Sequence, residues 1–321
     1  MVDLHTHSSA SDGDLRPGDL VKTAAARGIR ALALTDHDTI SGLGEAEAAA
    51  RETGIVLIPG VELEINAEAP GLFVPGTAIN GEFHLLGLGI RRPAGRFVET
   101  LRYLGGARDR RNRQILEKMR NAGIEAEYRD IEAFAGGRFR EPAGNADTSE
   151  ADISEADTSE KGLPAHGPVL VGRPHFGAFL IKKKIVKNQE QAFKRYLGKN
   201  RPFYVPKEGL VFSDAVEMIH ESGGIAVLAH PMSLYVAWGR LPSLLGRLGE
   251  LGLDGIEAWH PTAKPGVCGR LDKLARSFHL YVTAGSDFHG SARPERRLGY
   301  TAGNRIIEDV FLDDIPPLRT R

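Results

Sequence analysis

The chain has 321 residues, 41% of them hydrophobic, and a formal net charge of −1, which argues against a protein that covers long duplex nucleic acid. The single cysteine, Cys268, excludes an internal disulfide framework and fits a reducing compartment. No apolar run approaches the ~20 residues of a membrane span, and the first residues lack the pattern of a signal peptide. We therefore expect a cytoplasmic protein whose length suits one large α/β domain with a small insert.

The first part of the chain alternates short apolar strands with helices. The pattern predicts strands at 2–4, 29–35 and 55–59, and helices at 17–27 and 41–53. Such close alternation favours parallel strands joined by crossover helices. In a parallel barrel, the residues at the carboxyl ends of the strands and in the loops after them face the active site.

The middle of the chain departs from this alternation. A Pro/Gly-rich loop at 66–81 and a fourth strand at 83–90 precede a basic helical stretch that begins near residue 99. Residues 145–160 contain three near-copies of one acidic pentad (ADTSE, ADISE, ADTSE), which holds too few apolar residues to order itself. Strands resume at 225–229, 255–259 and 280–284. We therefore predict a first barrel part at 1–98, an inserted helical subdomain at 99–170 with an acidic disordered repeat, and a second barrel part at 171–321.

Metal-ligand residue types recur where the predicted strands end. His5 and His7, at i and i+2, project from the same side of an extended chain, and Asp12 follows after small polar residues. Imidazoles and carboxylates are the ligands that zinc, iron and manganese accept. The later strands contribute His37, Glu62, His84, His230, Asp287 and His289.

These nine candidates are too many for one ion that must keep an open coordination position. They suit two or three divalent ions, with Glu62 as the natural bridge because each of its two oxygens can bind a different metal. Ions about 3.5–4 Å apart activate water and clamp both the attacking and the leaving oxygen in phosphoryl transfer. The pattern therefore indicates metal-assisted hydrolysis of a phosphate ester.

Five motifs, taken in order, resemble those of the PHP (polymerase and histidinol phosphatase) family. They are His5-Thr6-His7, Thr35-Asp36-His37-Asp38, Gly60-Val61-Glu62, His230-Pro231 and Gly285-Ser286-Asp287-Phe288-His289. The resemblance covers residues 1 to about 98 and about 170 to 295. It is greatest to the stand-alone metal-dependent phosphoesterases, which residues 172–175 also match. Characterised members remove the 3′-phosphate of 3′,5′-bisphosphonucleotides or trim short RNA from its 5′ end.

The resemblance implies an α/β fold, a distorted seven-stranded (β/α) barrel with a trinuclear centre of manganese, iron or zinc. It assigns one ion to His5, His7, Glu62 and Asp287, a second to Asp12, His37 and His289, and a third to Glu62, His84 and His230. The expected substrate is a small phosphorylated nucleotide or a short 5′-phosphorylated oligonucleotide.

Other residues are candidates for supporting roles. Arg173 has the planar fork that grips phosphate, although a structural salt bridge is the alternative. His175 is expected to contact substrate, with general acid or helix cap as alternatives. Asp38 and Asp36 are each candidates to orient a ligating imidazole, with a cap on the following turn as an equal alternative for Asp36. We expect a structural role for His260, and a solvated face for the arginines at 108–113 with phosphate binding as the alternative.

Three alternatives stay open. An amidohydrolase-type barrel also begins with a His-x-His strand, but such sites usually bridge their metals with a modified lysine, whereas Glu62 takes that role here. Histidinol phosphate is a second substrate that the motifs do not exclude. A non-catalytic metal- or nucleotide-binding regulator is the third alternative, and it should have lost several ligands that this chain retains.

Overall fold

The computed structural model describes residues 1–69, 71–72, 74–135 and 171–319. The acidic repeat predicted at 145–160 lies outside the described residues. In the part of the chain that is described, no helix combines the length and the apolar character that crossing a membrane requires.

Seven strands of the described residues form one sheet in sequence order. They are β1 (Val2–Thr6), β2 (Ala31–Leu34), β3 (Val56–Glu64), β4 (His84–Leu88), β5 (Ile225–Leu228), β6 (Gly255–Trp259) and β7 (Tyr281–Ala284). The two edge strands meet, because the Asp287 amide donates to the His5 carbonyl at 2.9 Å and Thr6 forms a bridge with Phe288. The sheet therefore nearly closes, which confirms the predicted seven-stranded α/β barrel.

One strand of this barrel runs against the rest. β1, β2 and β3 are parallel, as are β5, β6 and β7, but β4 is antiparallel to both of its neighbours. The strand–helix alternation alone favoured parallel strands and did not show this reversal. Because β4 is reversed, its first residue, His84, lies at the edge of the sheet where the other strands end.

Helices cover the outside of the sheet. They are α1 (Pro17–Ala26), α2 (Leu43–Thr53), α3 (Gly95–Asn121), α4 (Tyr128–Ala135), α5 (Arg173–Lys182), α6 (Gln189–Ala192), α7 (Phe212–Glu221), α8 (Leu241–Glu250), α9 (Pro265–Ser277) and α10 (Val310–Asp313). A π-helical turn at Phe193–Leu197 continues α6, and Tyr300–Thr301 pairs with Arg305–Ile306 as a small separate hairpin of strands β8 and β9. Pro17 and Pro265 lie in the first turns of their helices, where a missing N–H costs no hydrogen bond.

The helices α3 to α6 form a layer with an apolar core of its own. Ile115 and Met119 of α3 lie in the same buried cluster as Phe176 and Leu180 of α5. This cluster continues as far as Val205, beyond the end predicted for the inserted subdomain at residue 170. The division of the chain into three parts stays a prediction, and the helical layer contains residues from both sides of the gap between 135 and 171.

A substitution of Phe176 tests how firmly this layer is packed. Because Phe176 is fully buried, Phe176→Ala should lower the free energy of unfolding by about 3–5 kcal/mol, as large-to-small core changes do. Phe278, which is 36% exposed, supplies the matched Phe278→Ala control, expected to cost less than about 1 kcal/mol. Denaturant unfolding measures both, and equal losses would contradict a packed core at Phe176.

Candidate metal centre

All nine predicted ligands lie together at one end of the barrel. The structure brings them from β1, from the start of β4, and from the loops after β1, β2, β5 and β7, while Glu62 comes from within β3. The least buried of their side chains, His37 and Asp12, are only 14% and 11% exposed. The cluster consists of His5, His7, Asp12, His37, Glu62, His84, His230, Asp287 and His289.

Asp36 folds the loop after β1 so that Asp12 returns to the cluster. One of its carboxylate oxygens accepts hydrogen bonds from the Ser8 amide at 2.8 Å and the Ser11 hydroxyl at 2.6 Å. The other accepts from the Ser8 hydroxyl at 2.7 Å. Asp36 therefore shapes a loop and does not orient an imidazole directly.

Asp3 performs a similar task at the edge where the barrel closes. Its carboxylate accepts hydrogen bonds from the backbone amides of Ser286 at 2.9 Å and Gly299 at 2.8 Å. Burial raises the pKa of Asp3 to about 6, although these hydrogen bonds act in the opposite direction. The contacts join β1, which carries His5, to the loop that carries Asp287.

Four donor atoms of the first predicted group converge closely. His5 Nε2 lies 3.0 Å from His7 Nε2, 3.3 Å from Glu62 Oε2 and 3.5 Å from Asp287 Oδ1. His7 Nε2 lies 3.2 Å from each of the same two carboxylate oxygens. A tetrahedron with ligand distances of about 2.0–2.2 Å has edges of about 3.3–3.6 Å. The spacing of the His5, His7 and Glu62 atoms therefore fits a common metal ion, and Asp287 Oδ1 approaches both histidine nitrogens.

Glu62 faces two groups of imidazoles with its two oxygens. Oε2 approaches His5, His7 and His37, with His37 Nδ1 at 3.2 Å. Oε1 lies 2.9 Å from both His84 Nδ1 and His230 Nε2, and these two ring nitrogens are 3.3 Å apart. This geometry is what a carboxylate that bridges two metal ions requires.

The remaining group lies on the other side of His7. Asp12 Oδ1 is 3.3 Å from His289 Nε2, and Asp12 Oδ2 is 3.9 Å from His37 Nε2. Among the described residues, His289 Nε2 and His7 Nδ1 have no hydrogen-bond partner, although both atoms are buried. Buried ring nitrogens without partners are costly, and a metal ion would give them ligands to bind.

The electrostatics of the cluster favour positive charge. Burial raises the pKa of Glu62, but His37 and His84 outweigh that effect and hold it well below its usual range. Burial lowers the pKa of His7, but Asp287 and Glu62 raise it to about 9. The carboxylates thus stay ionised and draw cations to the site, and metal ions would replace the protons of the imidazoles.

Outer hydrogen bonds fix which ring nitrogen points inward. Glu257 Oε1 lies 3.0 Å from His5 Nδ1, and Glu64 Oε2 lies 2.9 Å from His84 Nε2. His230 Nδ1 pairs with the Ser233 hydroxyl at 2.6 Å. Such partners orient a ligating imidazole and raise its basicity.

Sequence reasoning missed several residues of the site. Glu257 and Glu64 contact ligand imidazoles, and an acidic residue within a buried strand was a signal that could have indicated Glu257. His260, for which a structural role was expected, lies 3.1 Å from Asp287 Oδ2. Arg296 also contacts Asp287, and nothing in its basic surroundings in the sequence distinguished it.

A group of arginines and a histidine borders the metal cluster. The Arg108 side chain, 10% exposed, pairs with Asp38, whose other oxygen accepts from the Glu64 amide at 3.1 Å. Burial, together with Arg108 and Arg173, lowers the pKa of Arg111 to about 9. Arg108 and Arg111 therefore do not lie on the solvated face that was expected, and the observed contacts of Asp38 are with Arg108 and backbone.

His175 lies in the first turn of α5, on the same side. Its Nδ1 accepts a hydrogen bond from the Gly172 amide at 2.8 Å, so the neutral ring carries its proton on Nε2. Burial lowers the pKa of His175, and Arg108 acts in the same direction, against the effect of Asp12. The residue is thus a neutral hydrogen-bond donor at neutral pH, and its Nδ1 is also the predicted helix cap.

Comparisons with known proteins agree with this geometry. A PHP domain model matches residues 3–129. A 5′-3′ exoribonuclease from Haemophilus influenzae is 34% identical over 287 residues, which cover 89% of each chain. The chain belongs to the PHP family. A 3′,5′-nucleoside bisphosphate phosphatase from Chromobacterium violaceum is 29% identical, with coverage of 99% of this PHP chain and 93% of that protein.

A solved structure supports the same fold. It is described as an amidohydrolase from Chromobacterium violaceum with bound sulfate and no metal, and it has 28% sequence identity and a TM-score of 0.74. The match covers 95% of this PHP chain and 92% of that one. The predicted family and barrel are therefore confirmed, and among the described residues this cluster contains groups of histidines and carboxylates that could hold a metal ion.

Replacing Glu62 tests its bridging position in this PHP protein. Glu62→Gln keeps the shape but replaces one carboxylate oxygen with an amide NH₂, which cannot bind a metal. Loss of a residue that only hydrogen-bonds a metal ligand lowers metal affinity by about 10–100-fold. We expect loss of Glu62, a predicted direct ligand, to lower it by at least as much. Equilibrium dialysis with elemental analysis measures it, with the exposed Glu68→Gln as control. Equal metal content in both variants would contradict a bridge at Glu62.

Proposed function

We propose that the protein is a metal-dependent phosphoesterase that hydrolyses a phosphate ester of a small nucleotide, such as a 3′,5′-bisphosphonucleotide, or trims short 5′-phosphorylated RNA. The observation that carries the proposal is the position of Glu62, whose two oxygens face separate groups of ligand-type side chains at 2.9–3.3 Å. A bridged cluster of this kind is suited to in-line displacement at phosphorus.

The named relatives support a phosphoester substrate. One is an exoribonuclease and the other a nucleoside bisphosphate phosphatase, and each aligns along almost the whole chain. Both names describe hydrolysis of a phosphate ester in a nucleotide, although they differ in the size of the substrate. We infer the shared chemistry for this chain and leave the size of the substrate to the inference below.

We propose two or three manganese, iron or zinc ions, held by the three groups of ligands predicted from the sequence. When bound, they would supply an activated water and would stabilise negative charge on the phosphate oxygens. Mixed imidazole and carboxylate ligation accepts all three metals, so availability in the cell decides among them. The free, buried Cys268 supports a cytoplasmic location, where thiols stay reduced.

The arginines beside the cluster are positioned to hold the phosphate. Arg108, Arg111 and Arg173 lie close enough for the first and last to lower the pKa of Arg111. The buried Nε of Arg111 has no hydrogen-bond partner among the described residues, so this guanidinium keeps an unused donor. Guanidinium groups bind phosphate through paired N–H donors, which fixes its orientation as well as its position.

We call Arg108, Arg111 and Arg173 the phosphate wall, and His175 adds a neutral donor to it. Its Nε2–H is free of the Gly172 contact that engages Nδ1, and the influence of Asp12 on its pKa shows that the ring is near the cluster. We assign it a hydrogen bond to an oxygen of the substrate phosphate. Asp38 holds Arg108 and is thus a positioning residue for the same wall.

The first test is phosphate release by protein loaded with manganese or iron. The substrates are 3′,5′-bisphosphoadenosine, AMP, histidinol phosphate and a short 5′-phosphorylated RNA, each also offered to a His7→Ala variant. We expect turnover of the bisphosphate, the RNA or both, and a loss of at least 100-fold in the variant because His7 Nε2 lies within the first ligand group.

Other outcomes of this panel have clear meanings. Turnover of histidinol phosphate alone would mean that histidinol phosphate, and not a nucleotide, is the substrate. No phosphate release from any of these esters, with metal still bound, would overturn the proposed phosphoesterase function. It would favour an amidohydrolase or a non-catalytic metal-binding regulator.

Arg173→Gln tests the phosphate wall separately from the metals. Loss of a charged hydrogen-bonding group costs about 1.5–3 kcal/mol, so kcat/KM should fall by roughly 10- to 150-fold, mainly through a higher KM. Arg173→Lys should recover only part of this loss because it lacks the planar fork. Arg113→Gln, at an exposed position of α3, is the control. An unchanged KM in Arg173→Gln would show that Arg173 has only a structural role.

A further inference from the structure

The segment from Lys182 to Arg201 carries a concentration of positive charge that the metal centre does not use. It contains eight basic residues and one acidic residue, Glu190, in a chain whose formal net charge is −1. The basic residues are Lys182, Lys183, Lys184, Lys187, Lys194, Arg195, Lys199 and Arg201, and all eight are exposed. We call this group the basic strip.

The basic strip begins where the phosphate wall ends. Arg173 is the first residue of α5 and Lys182 the last, which places them about 13–14 Å apart along the helix axis. The Arg173 guanidinium also lies over the ring of Tyr204, 5.7 Å from its centre. The Tyr204 amide in turn donates to the carbonyl of Arg201 at 2.9 Å. Positive charge therefore continues from the wall to the surface of the helical layer.

Aromatic rings accompany these charges. Tyr204 and Tyr196 are both half-buried, which leaves part of each side chain accessible. Tyr196 stacks on Phe203 with ring centres 5.2 Å apart, and Arg195 lies over the Tyr196 ring at 5.2 Å. Basic residues interleaved with accessible aromatic rings are the combination that binds single-stranded nucleic acid, through phosphate attraction and base stacking.

We propose that the basic strip binds the single-stranded RNA that extends from a 5′ end held at the metal centre. This inference rests on the proposed phosphoesterase function and gives it a substrate class, a short oligonucleotide with its 3′ portion along α5 and α6. In this arrangement the strip contacts the nucleotides that follow the one anchored at Arg173. A long duplex is disfavoured because the rest of the chain balances the positive charge of the strip.

The proposal predicts that the strip matters only for longer substrates. Each phosphate neutralised on a single strand adds about −0.7 to the slope of log K against log[salt]. A protein that holds two further phosphates should thus bind a pentanucleotide with a slope steeper by about 1.4 than it binds a bisphosphonucleotide. The difference should disappear when the strip is neutralised.

The experiment compares two variants that each lose four exposed positive charges. The first changes Lys194, Arg195, Lys199 and Arg201 of the strip to Gln. The control changes Arg27, Arg51, Lys273 and Arg319, which are exposed and lie elsewhere, to Gln. Both are tested on 3′,5′-bisphosphoadenosine and on 5′-phosphorylated RNA of two and five nucleotides. Fluorescence anisotropy of a labelled, non-hydrolysable pentanucleotide measures binding without turnover.

We expect the strip variant to lose about tenfold or more in affinity and kcat/KM for the pentanucleotide and less than twofold for the bisphosphate, as the loss of two phosphate contacts implies. The control variant should behave as wild type. Equal losses in both variants, or unchanged pentanucleotide binding by a strip variant with an unchanged Tm, would overturn the strip proposal.

The two proposals fail in different ways. Wild-type protein that hydrolyses no phosphate ester but binds the pentanucleotide through the strip would overturn the proposed function and support the strip. Wild-type protein that hydrolyses bisphosphoadenosine and neither cleaves nor binds the pentanucleotide would overturn the strip alone.

Discussion

The arrangement of the site depends on the free-energy cost of burying ionised carboxylates inside the barrel. Glu62 is 1% exposed and Asp287 is 5% exposed, so bulk water solvates neither charge well. An unpaired buried carboxylate is prohibitively unfavourable, so other elements that reach this end of the barrel bring compensating groups. His5, His37 and His84 approach the carboxylates from three different strand ends. A divalent ion bound among them would compensate the negative charge more effectively than a proton on an imidazole.

The strand order explains how so many groups reach one place. Six strands end at the same edge, and the reversed β4 begins there, so even an antiparallel strand contributes a ligand in His84. Two buried aspartates then fix the loops, Asp36 through serines of the first loop and Asp3 across the closure of the barrel. The positions of Asp12 and Asp287 therefore depend on buried hydrogen bonds in addition to the strands that precede their loops.

Much of this site could be predicted because its signals are local. His5 and His7 alternate on one strand, and Asp287 and His289 follow a strand end, so short patterns were sufficient. Glu257 pairs with His5 across 252 positions of sequence, and no local pattern reports such a contact. The burial of Arg111 was likewise unpredictable, because the face of α3 that packs inward is decided by α5, which lies beyond residue 170.

The site divides into a carboxylate-rich half and an arginine-rich half, and ion pairs join the two. Asp38 pairs with Arg108, and Glu64 pairs with Lys207 while also holding His84. On the proposed function, a dianionic phosphate would be attracted to metal ions in the first half and to guanidinium groups in the second, so it would bind where the halves meet. Asp38 and Glu64 hold Arg108 and Lys207 at this border. On the proposed function, the ion pairs would keep these cations at a fixed distance from the ligands, so that one phosphate is positioned for hydrolysis while the outer cations select what is attached to it.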